Sequence, residues 1–333
     1  MDRGIGWKAL AACMLLWGLG PWEPARARDV ATADDVDRLL KTTPVAPWDL
    51  ANIASPLPSR PEPLIGPPPP EPLEPTRGEE RHASFGDRVG AVKWEVAGVA
   101  AFITATQTTV LAKGARSFRF KDEGWFGKST ANLGVDKLAH AFNAYLIAEF
   151  LQARINRKIP DAGGSAVTAA ILATGLMAYG ELYDAHKESS GFSYQDVTFN
   201  LAGAGFSVLR NSVPGLKEKL DFRLLVMPNS DVYTFRGKRH FEQQRYLFAL
   251  QFSGFEAFQQ SPLRFLELHA GYRAEGFTAR DRARGEPLQR KIFLGLGLNL
   301  QELFFKSPQS KIGRLAGRTL DYIQVPYTAA HWD

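Results

Sequence analysis

The clearest helical pattern in the chain lies at residues 134–157, which read GVDKLAHAFNAYLIAEFLQARINR. Apolar side chains recur there at helical spacing, charges stand at both ends, and a pair of glycines at 163–164 follows as a helix breaker. Similar patterns predict further helices over about Gly90–Lys113, Ser165–His186 and Ser193–Arg210. Four helices in succession favour a bundle, either in water or partly in lipid.

The pattern changes after Pro214, where apolar and polar residues alternate as they do in antiparallel strands. Clusters of Gly, Pro, Asn and Asp separate the alternating segments, which are Phe222–Val226, Arg245–Phe255, Arg264–Tyr272 and Lys291–Leu300. The sequence therefore predicts an α+β fold, with a four-helix membrane-associated bundle followed by a small antiparallel β-sheet. The helical domain is expected over 85–213 and the β-strand region over 214–333.

The N-terminus has the layout of a secretory signal, with a short basic region, an apolar stretch, and Ala25 and Ala27 at the spacing that signal peptidase reads. Cleavage after Ala27 is the preferred prediction, which makes residues 1–27 a signal peptide. The alternative is a lipobox that ends at Cys13 and would turn this cysteine into a lipidated first residue. Residues 28–84 are rich in proline and predict a mostly disordered tether.

Composition narrows the classes of partner and site. The formal net charge of +5 and the isoelectric point near 9.2 suit anionic partners such as phospholipid headgroups. Lys and Arg form no dense basic run, so the sequence argues against a nucleic-acid partner. With a single cysteine, neither a disulfide framework nor a thiolate metal site can form. A divalent metal, held by His and carboxylates, remains a candidate cofactor.

Three of the predicted helices carry polar residues in pairs at i,i+3 or i,i+4 spacing, which places the members of each pair on one helix face. The pairs are Asp136 with His140, Glu181 with Asp184, and Asp196 with Asn200. Ser193 is a good N-cap for the last helix and accounts for Asp196 in its first turn. It does not account for Asn200 one turn further on, nor for Gly203, which would let another helix approach closely.

In an antiparallel bundle these faces would converge, and two roles fit such a cluster. The six side chains contain enough oxygen and nitrogen ligands for one divalent metal, or a general acid and base for hydrolysis, which makes them candidate catalytic residues. They also fit a buried hydrogen-bond network that holds the bundle in register, because buried polar groups must find partners. The network interpretation is slightly favoured. By contrast, His240, His269 and His331 stand alone and are predicted to be surface or strand histidines.

The linked motifs carry a family resemblance. They are Gly124-Trp125-Phe126-Gly127, Asp136-Lys137-x-x-His140, Glu181-x-x-Asp184 and Gly191-Phe192-Ser193-x-x-Asp196-x-x-x-Asn200-x-x-Gly203. As a set, over roughly 124–205, they resemble the YfiM-like family of uncharacterised periplasmic or lipoprotein-type envelope proteins. Their order is also similar to that of the VanZ-like membrane proteins, which are associated with glycopeptide resistance. The glutamine and arginine expected after the VanZ-like glutamate are absent, and this departure favours the YfiM-like assignment.

The resemblance implies a location and a set of candidate residues, and it implies no reaction. We expect an exported protein on the periplasmic side of the envelope, associated with a membrane through at least one helix. The leading hypothesis is a structural or interaction component whose partners are membrane lipid and other envelope proteins. The alternative is a membrane-proximal hydrolase or transferase that acts on a lipid-linked or phosphorylated substrate, with a divalent metal assisting. P-loop, Gly-x-Ser-x-Gly and His-Glu-x-x-His motifs are absent from the sequence.

Overall fold

A computed structural model describes residues 83–112, 114–159, 163–188, 190–229, 232–233, 237–306 and 310–333. The predicted signal peptide, the candidate lipobox at Cys13 and nearly all of the predicted tether lie outside these residues. The helices and the sheet that follow belong to one compact unit. The architecture is α+β, with long helices first and a mixed six-stranded sheet second.

The first half of the described chain is helical. Its helices are α1 (Phe85–Ala91), α2 (Lys93–Leu111), α3 (Val135–Lys158), α4 (Ser165–Asp184) and α5 (Tyr194–Ser212). The first predicted helix is thus two helices, which meet at a bend of 62° because the backbone leaves helical geometry at Val92. Gly134 and Gly164 precede α3 and α4 with φ angles of 85° and 78°, a left-handed conformation that favours glycine.

The centre of the helical layer is α3, which packs against both α4 and α5. Buried Ile147, Leu151 and Ile155 on α3 form one apolar core with Ala173 and Met177 on α4. This burial is the main source of stability for the helices, since transfer of apolar surface from water dominates folding.

A six-stranded sheet in the order β5-β1-β2-β3-β4-β6 follows. Its strands are β1 (Leu220–Val226), β2 (Gln244–Gln251), β3 (Leu266–Glu275), β4 (Gln289–Leu298), β5 (Ile323–Gln324) and β6 (Ala329–Trp332). Short helices lie in the connections, namely α6 (Gly237–Glu242), α7 (Glu256–Gln259), α8 (Ala279–Ala283), α9 (Leu300–Phe304) and α10 (Lys311–Leu320). Only residues 325–328 separate the two edge strands, so the sheet curls and brings its edges together.

The two faces of the sheet differ sharply in polarity. The outer face is apolar and comprises Phe222, Leu224, Tyr246, Phe248, Tyr272, Ile292, Leu294, Leu296, Leu298 and Trp332. The inner face combines polar side chains with a small buried apolar cluster of Leu225, Leu247, Ala249 and Phe293. Its polar side chains include Asp221, Arg223, Glu267, His269 and His331. Helix α3 covers the β1–β2 part of the outer face, where the Phe142 ring lies 5.5 Å from Phe222 and 5.7 Å from Tyr246.

The predicted strands overlap β1 to β4, and the differences have physical causes. The sheet is not purely antiparallel, because β5 pairs with β1 in parallel through Leu224 and Ile323. The second predicted strand is too long, since a 3-10 turn at Phe252–Gly254 ends β2 at Gln251. Two of the three histidines predicted to stand alone do not, because His269 Nδ1 lies 3.0 Å from His331 Nε2, although both are in strands as predicted. His240 is neither a surface nor a strand residue, since it is buried in α6.

Among the described residues, α4 is long and apolar enough to cross a membrane. The bent pair of α1 and Lys93–Thr108 of α2 passes the same test only if it is counted as one broken span. Because 56% of the apolar stretch of α4 is buried inside the protein, the same helix also has the character of a core helix.

Candidate functional site

The candidate site is built on the first turns of α3, at the end facing α4 and α5. The chain enters this helix through Gly134, where a Cβ atom would overlap the ring of Phe126. Glycine is required there both by the positive φ and by this contact. The turn that follows places Lys137 in the protein interior, with 1% of its side chain exposed, and His140 next to it on the side of α4.

The Lys137 ammonium lies among three carboxylates. Its Nζ is 2.6 Å from Asp196 Oδ1, 3.1 Å from Asp136 Oδ2 and 3.1 Å from Glu123 Oε2. Three donors on the ammonium meet three acceptors, so the buried charge is compensated and its hydrogen bonds are made. The group ties α3 to α5 and to the loop before α3.

His140 lies between two carboxylates from different helices. Its Nδ1 is 3.5 Å from Glu181 Oε1 on α4, and its Nε2 is 3.7 Å from Asp196 Oδ2 on α5. Glu181 and Asp196 are 2% and 6% exposed, and His140 is 16% exposed, although its Nδ1 is buried. One ligand atom from each residue lies within 4.8 Å of the others.

These groups perturb each other's protonation. Burial raises the pKa of Glu181 to about 8, against the attraction of His140. Burial disfavours a charged imidazole, but the Asp196 and Glu181 carboxylates outweigh it and raise the pKa of His140. Burial also opposes the ionisation of Asp196, yet His140 and Lys137 hold the pKa of that carboxyl below its usual range. Two carboxyls whose pKa values are shifted in opposite directions thus face the same imidazole, which is an arrangement found at acid–base sites.

The structure brings together three of the six predicted site residues, His140, Glu181 and Asp196, and places the other three around them. Asp136 reaches the group through Lys137. Asp184 forms an ion pair with Lys187 and lies 3.5 Å from Gln107 Nε2 on α2. Asn200 is 1% exposed, and in the described part of the chain neither its Oδ1 nor its Nδ2 has a hydrogen-bond partner.

Sequence reasoning missed two members of the cluster, Lys137 and Glu123. Lys137 belongs to the Asp-Lys-x-x-His motif but was not treated as a site residue, although a lysine between apolar positions of a core helix is a signal for a buried ion pair. Glu123 precedes the Gly-Trp-Phe-Gly loop and offers no helical spacing from which its position follows. Gln195, beside Asp196, donates a hydrogen bond to Asp122 in that same loop.

A second charged network lies on the inner face of the sheet. Arg223 Nη2 is 2.6 Å from Asp221 Oδ2, and its Nη1 is 2.8 Å from Glu267 Oε1. His269 Nε2 lies 2.9 Å from Glu267 Oε1, and Arg210 from α5 reaches Asp221 at 2.5 Å. All are 4% exposed or less. This network joins the sheet to α5 and is separate from the His140 group.

Residues 122–212 match the profile of a family described as predicted periplasmic lipoprotein (DUF2279). The matched segment contains α3, α4, α5 and all six predicted site residues. The match supports an exported protein of the periplasm that belongs to the uncharacterised proteins of the envelope. No curated protein and no solved structure matches the chain significantly.

Proposed function

We propose that this protein is an envelope component that docks on a lipid surface through the part of its outer face that the helices leave uncovered. One observation carries the proposal. A row of side chains crosses the sheet in register from β1 to β6, through Phe222, Phe248, Ala270, Leu294 and Trp332. The exposed fraction rises along it from 4% at Phe222 to 43% at Phe248, 58% at Leu294 and 62% at Trp332.

The neighbouring rows extend this apolar surface. On β4 the side chain of Ile292 is 77% exposed, and Leu296 and Leu298 are 40% and 44% exposed. A groove of about 640 Å³ lies where the covered and uncovered parts meet, lined by aromatic side chains that include Phe126 and Tyr272. Contiguous apolar surface of this kind marks an interaction site, because water solvates it poorly.

The polarity of the inner face supports a permanent outward orientation of these side chains. The inner face holds the network of Arg223, Glu267 and His269, whose charges are buried and paired. If the sheet instead turned its apolar face inward, the ion pairs of the inner face would break. Buried charges would then lack partners, at a cost of several kcal/mol. Within the described chain, the uncovered part of the apolar outer face therefore stays exposed. An external apolar phase would cover it.

Helix α10 favours lipid over a protein partner. It exposes Ile312 and Leu315 (81% and 41%) and carries Arg314 and Arg318 at helical spacing. Basic amphipathic helices lie in the membrane interface, where their apolar side chains enter the acyl boundary and their cations meet anionic headgroups. Arg290, at the rim of the apolar groove on β4, adds a further cation on the outer face.

The experiment places an environment-sensitive dye on the uncovered surface. In a full-length Cys13→Ser chain, Leu294→Cys supplies a single labelling position, and Glu188→Cys supplies a control on an exposed polar side chain. We expect anionic vesicles to shift the emission of the dye at position 294 to shorter wavelength, as it leaves water. The dye at position 188 should keep its emission in water.

Two results would contradict lipid docking. The first is an unshifted dye at position 294 while the protein sediments with the vesicles, which would mean that another segment holds it there. The second is a shift that appears without vesicles and grows with protein concentration, which would make this surface a contact between two copies of the chain.

A second function is favoured by the His140 cluster. Two carboxyls whose pKa values are shifted in opposite directions flank the His140 imidazole. Such groups can serve as the acid and base of a membrane-proximal hydrolase or transferase that acts on a lipid-linked or phosphorylated substrate. The test is a His140→Gln variant. An enzyme predicts loss of the cellular phenotype with an unchanged melting temperature, whereas a structural role predicts that both fall together.

The proposal has two further parts. The protein is related to the YfiM-like proteins, and a lipid on Cys13 anchors its N-terminus. The spacing Asp136-Lys137-x-x-His140 with the later Asp196 and Asn200 supports the kinship, and these residues share one region of the fold. Mass spectrometry of the mature N-terminus tests the anchor, since acylated Cys13 and an N-terminus at Arg28 differ by many residues and by the mass of the lipid.

A further inference from the structure

We infer that His140, Glu181 and Asp196 form a binding site for a divalent transition-metal ion, with Zn²⁺ and Mn²⁺ the best matched. The site is independent of lipid docking and would supply a cation to the second function. The distances of 3.5 Å from His140 to Glu181 and 3.7 Å from His140 to Asp196 carry the inference. Ligands that each bind one ion at about 2.1 Å lie about 3–4 Å apart, which is the separation between either ring nitrogen and the carboxylate that faces it. One ligand atom from each of the three residues lies within 4.8 Å of the other two.

The imidazole offers only one nitrogen to an ion. In the structure Nδ1 faces Glu181 and Nε2 faces Asp196. The carboxylate beside the non-binding nitrogen then has two possible positions. It rotates to bind the ion, or it stays in place and accepts a hydrogen bond from the N–H of that nitrogen. The second arrangement is the usual one for a metal-bound histidine, whose free N–H is held by a carboxylate. Both arrangements keep all three residues at the site.

A neighbouring group of carboxylates differs from the His140 group, because a lysine ammonium already lies among its oxygens. Glu123, Asp136 and Asp196 also bring three ligand atoms within 4.8 Å of one another, but the Lys137 ammonium already lies among them. That ammonium contacts Asp196 through Oδ1, whereas Oδ2 is the oxygen that faces His140. The cation of the neighbouring group therefore leaves one Asp196 oxygen directed at the proposed ion.

Unpartnered polar atoms in the interior point to the same place. Glu181 Oε2 belongs to a side chain that is 2% exposed, and within the described residues it has no hydrogen-bond partner. A buried carboxylate oxygen without a donor is costly, and a bound cation would satisfy it. Asn200 follows Asp196 by one turn on the same face of α5 and is equally without a hydrogen bond in the described chain. Its amide offers a neutral ligand or a bond to metal-bound water.

The ligand chemistry selects the ion. Imidazole suits Zn²⁺ and carboxylates suit Mn²⁺, so one imidazole with two carboxylates matches either ion, whereas Ca²⁺ and Mg²⁺ prefer oxygen ligands throughout. The two or three protein ligands that these arrangements supply leave at least one coordination position for water or a substrate oxygen, as in catalytic sites. An ion there would polarise a phosphoryl or carbonyl oxygen of a substrate that binds at this position.

The test measures metal binding and does not require an activity. Full-length protein, purified and treated with chelator, is titrated with Zn²⁺ or Mn²⁺ by calorimetry, and elemental analysis counts the ions retained after dialysis. We expect about one ion per chain and a higher melting temperature with metal. Glu181→Gln, Asp196→Asn and His140→Gln should each weaken binding by about tenfold or more, because each removes a ligand or the group that orients one.

The matched control is Asp136→Asn, which also removes one carboxylate charge, but on the side of the cluster that faces the Lys137 ammonium. This variant should bind the metal with an affinity close to that of the wild type. Circular dichroism identifies the variants that remain folded, and three ligand variants leave the test intact if one does not fold. A wild-type chain that retains no ion overturns the site. So does binding that survives all folded ligand variants, or that Asp136→Asn weakens as much as they do. These results are independent of the lipid-docking experiment with the dye at position 294.

Discussion

A Cβ atom on Gly203 would overlap the carbonyl oxygen of Ala141, so α5 and α3 touch backbone to backbone at this point. Asp196 precedes Gly203 on α5 by two helical turns, and Lys137 precedes Ala141 on α3 by one. The contact therefore sets the separation across which Asp196 meets Lys137 and His140. A glycine outside the candidate site controls its geometry.

Replacing Gly203 by alanine should destabilise the protein by about 1–3 kcal/mol, because the new methyl group forces the two helices apart. Gly205→Ala is the matched control. A Cβ there meets no atom within 4 Å, so alanine should stabilise α5 by up to about 1 kcal/mol through its higher helix propensity. Denaturant unfolding of both variants checks the opposite signs, and equal effects would mean that the backbone contact does not matter.

Lys137→Met should lower the free energy of unfolding by about 3–5 kcal/mol, since it leaves the carboxylates of Asp196 and Asp136 buried without their ammonium. Lys158→Met is the control. Its ammonium is 36% exposed and pairs with Glu95 near the surface, so its loss should cost about 1 kcal/mol or less. Thermal and urea unfolding measure the difference, and similar values for the two lysines would argue against a buried ion pair at Lys137.

Asp321 should make stability depend on pH. Burial and the Asp221 carboxylate raise its pKa to about 7, whereas the unfolded chain has a value of about 4. Between these values the folded state keeps a proton that the unfolded state has lost, so stability is greatest below about pH 4 and falls as the pH rises to about 7. We expect a loss of about 1–3 kcal/mol that is specific to this group.

The measurement compares urea unfolding of the wild type and Asp321→Asn across that pH range. The asparagine variant carries no titrating group at this position, so the difference between the two proteins should grow with pH and level off above about 7. A difference that stays constant would show that the carboxyl of Asp321 is ionised throughout.

Much of the helical layer followed from the sequence because helical periodicity is local. Patterns within single segments located α3, α4 and α5 to within a few residues, and Ser193 marked the start of α5 through its N-cap bond from Asp196 N. The bend at Val92 did not follow, since the sequence there has no proline, and a single glycine at position 90 is compatible with a continuous helix. The parallel pair of β1 and β5 did not follow either. Its partners lie about a hundred residues apart, and β5 has two residues, too few for an alternating pattern.

The sequence by itself determined which polar side chains share a helix face, because spacing along one helix defines a face. It named Asp136, His140, Glu181, Asp184, Asp196 and Asn200. Tertiary structure alone decided which of their atoms meet: the ammonium of Lys137 takes Asp136 and one oxygen of Asp196, and His140 is left between Glu181 and the other oxygen. The depth at which α5 packs against α3 sets these distances, and backbone contact at Gly203 permits that depth. No pattern within a single helix contains the distance between two helices.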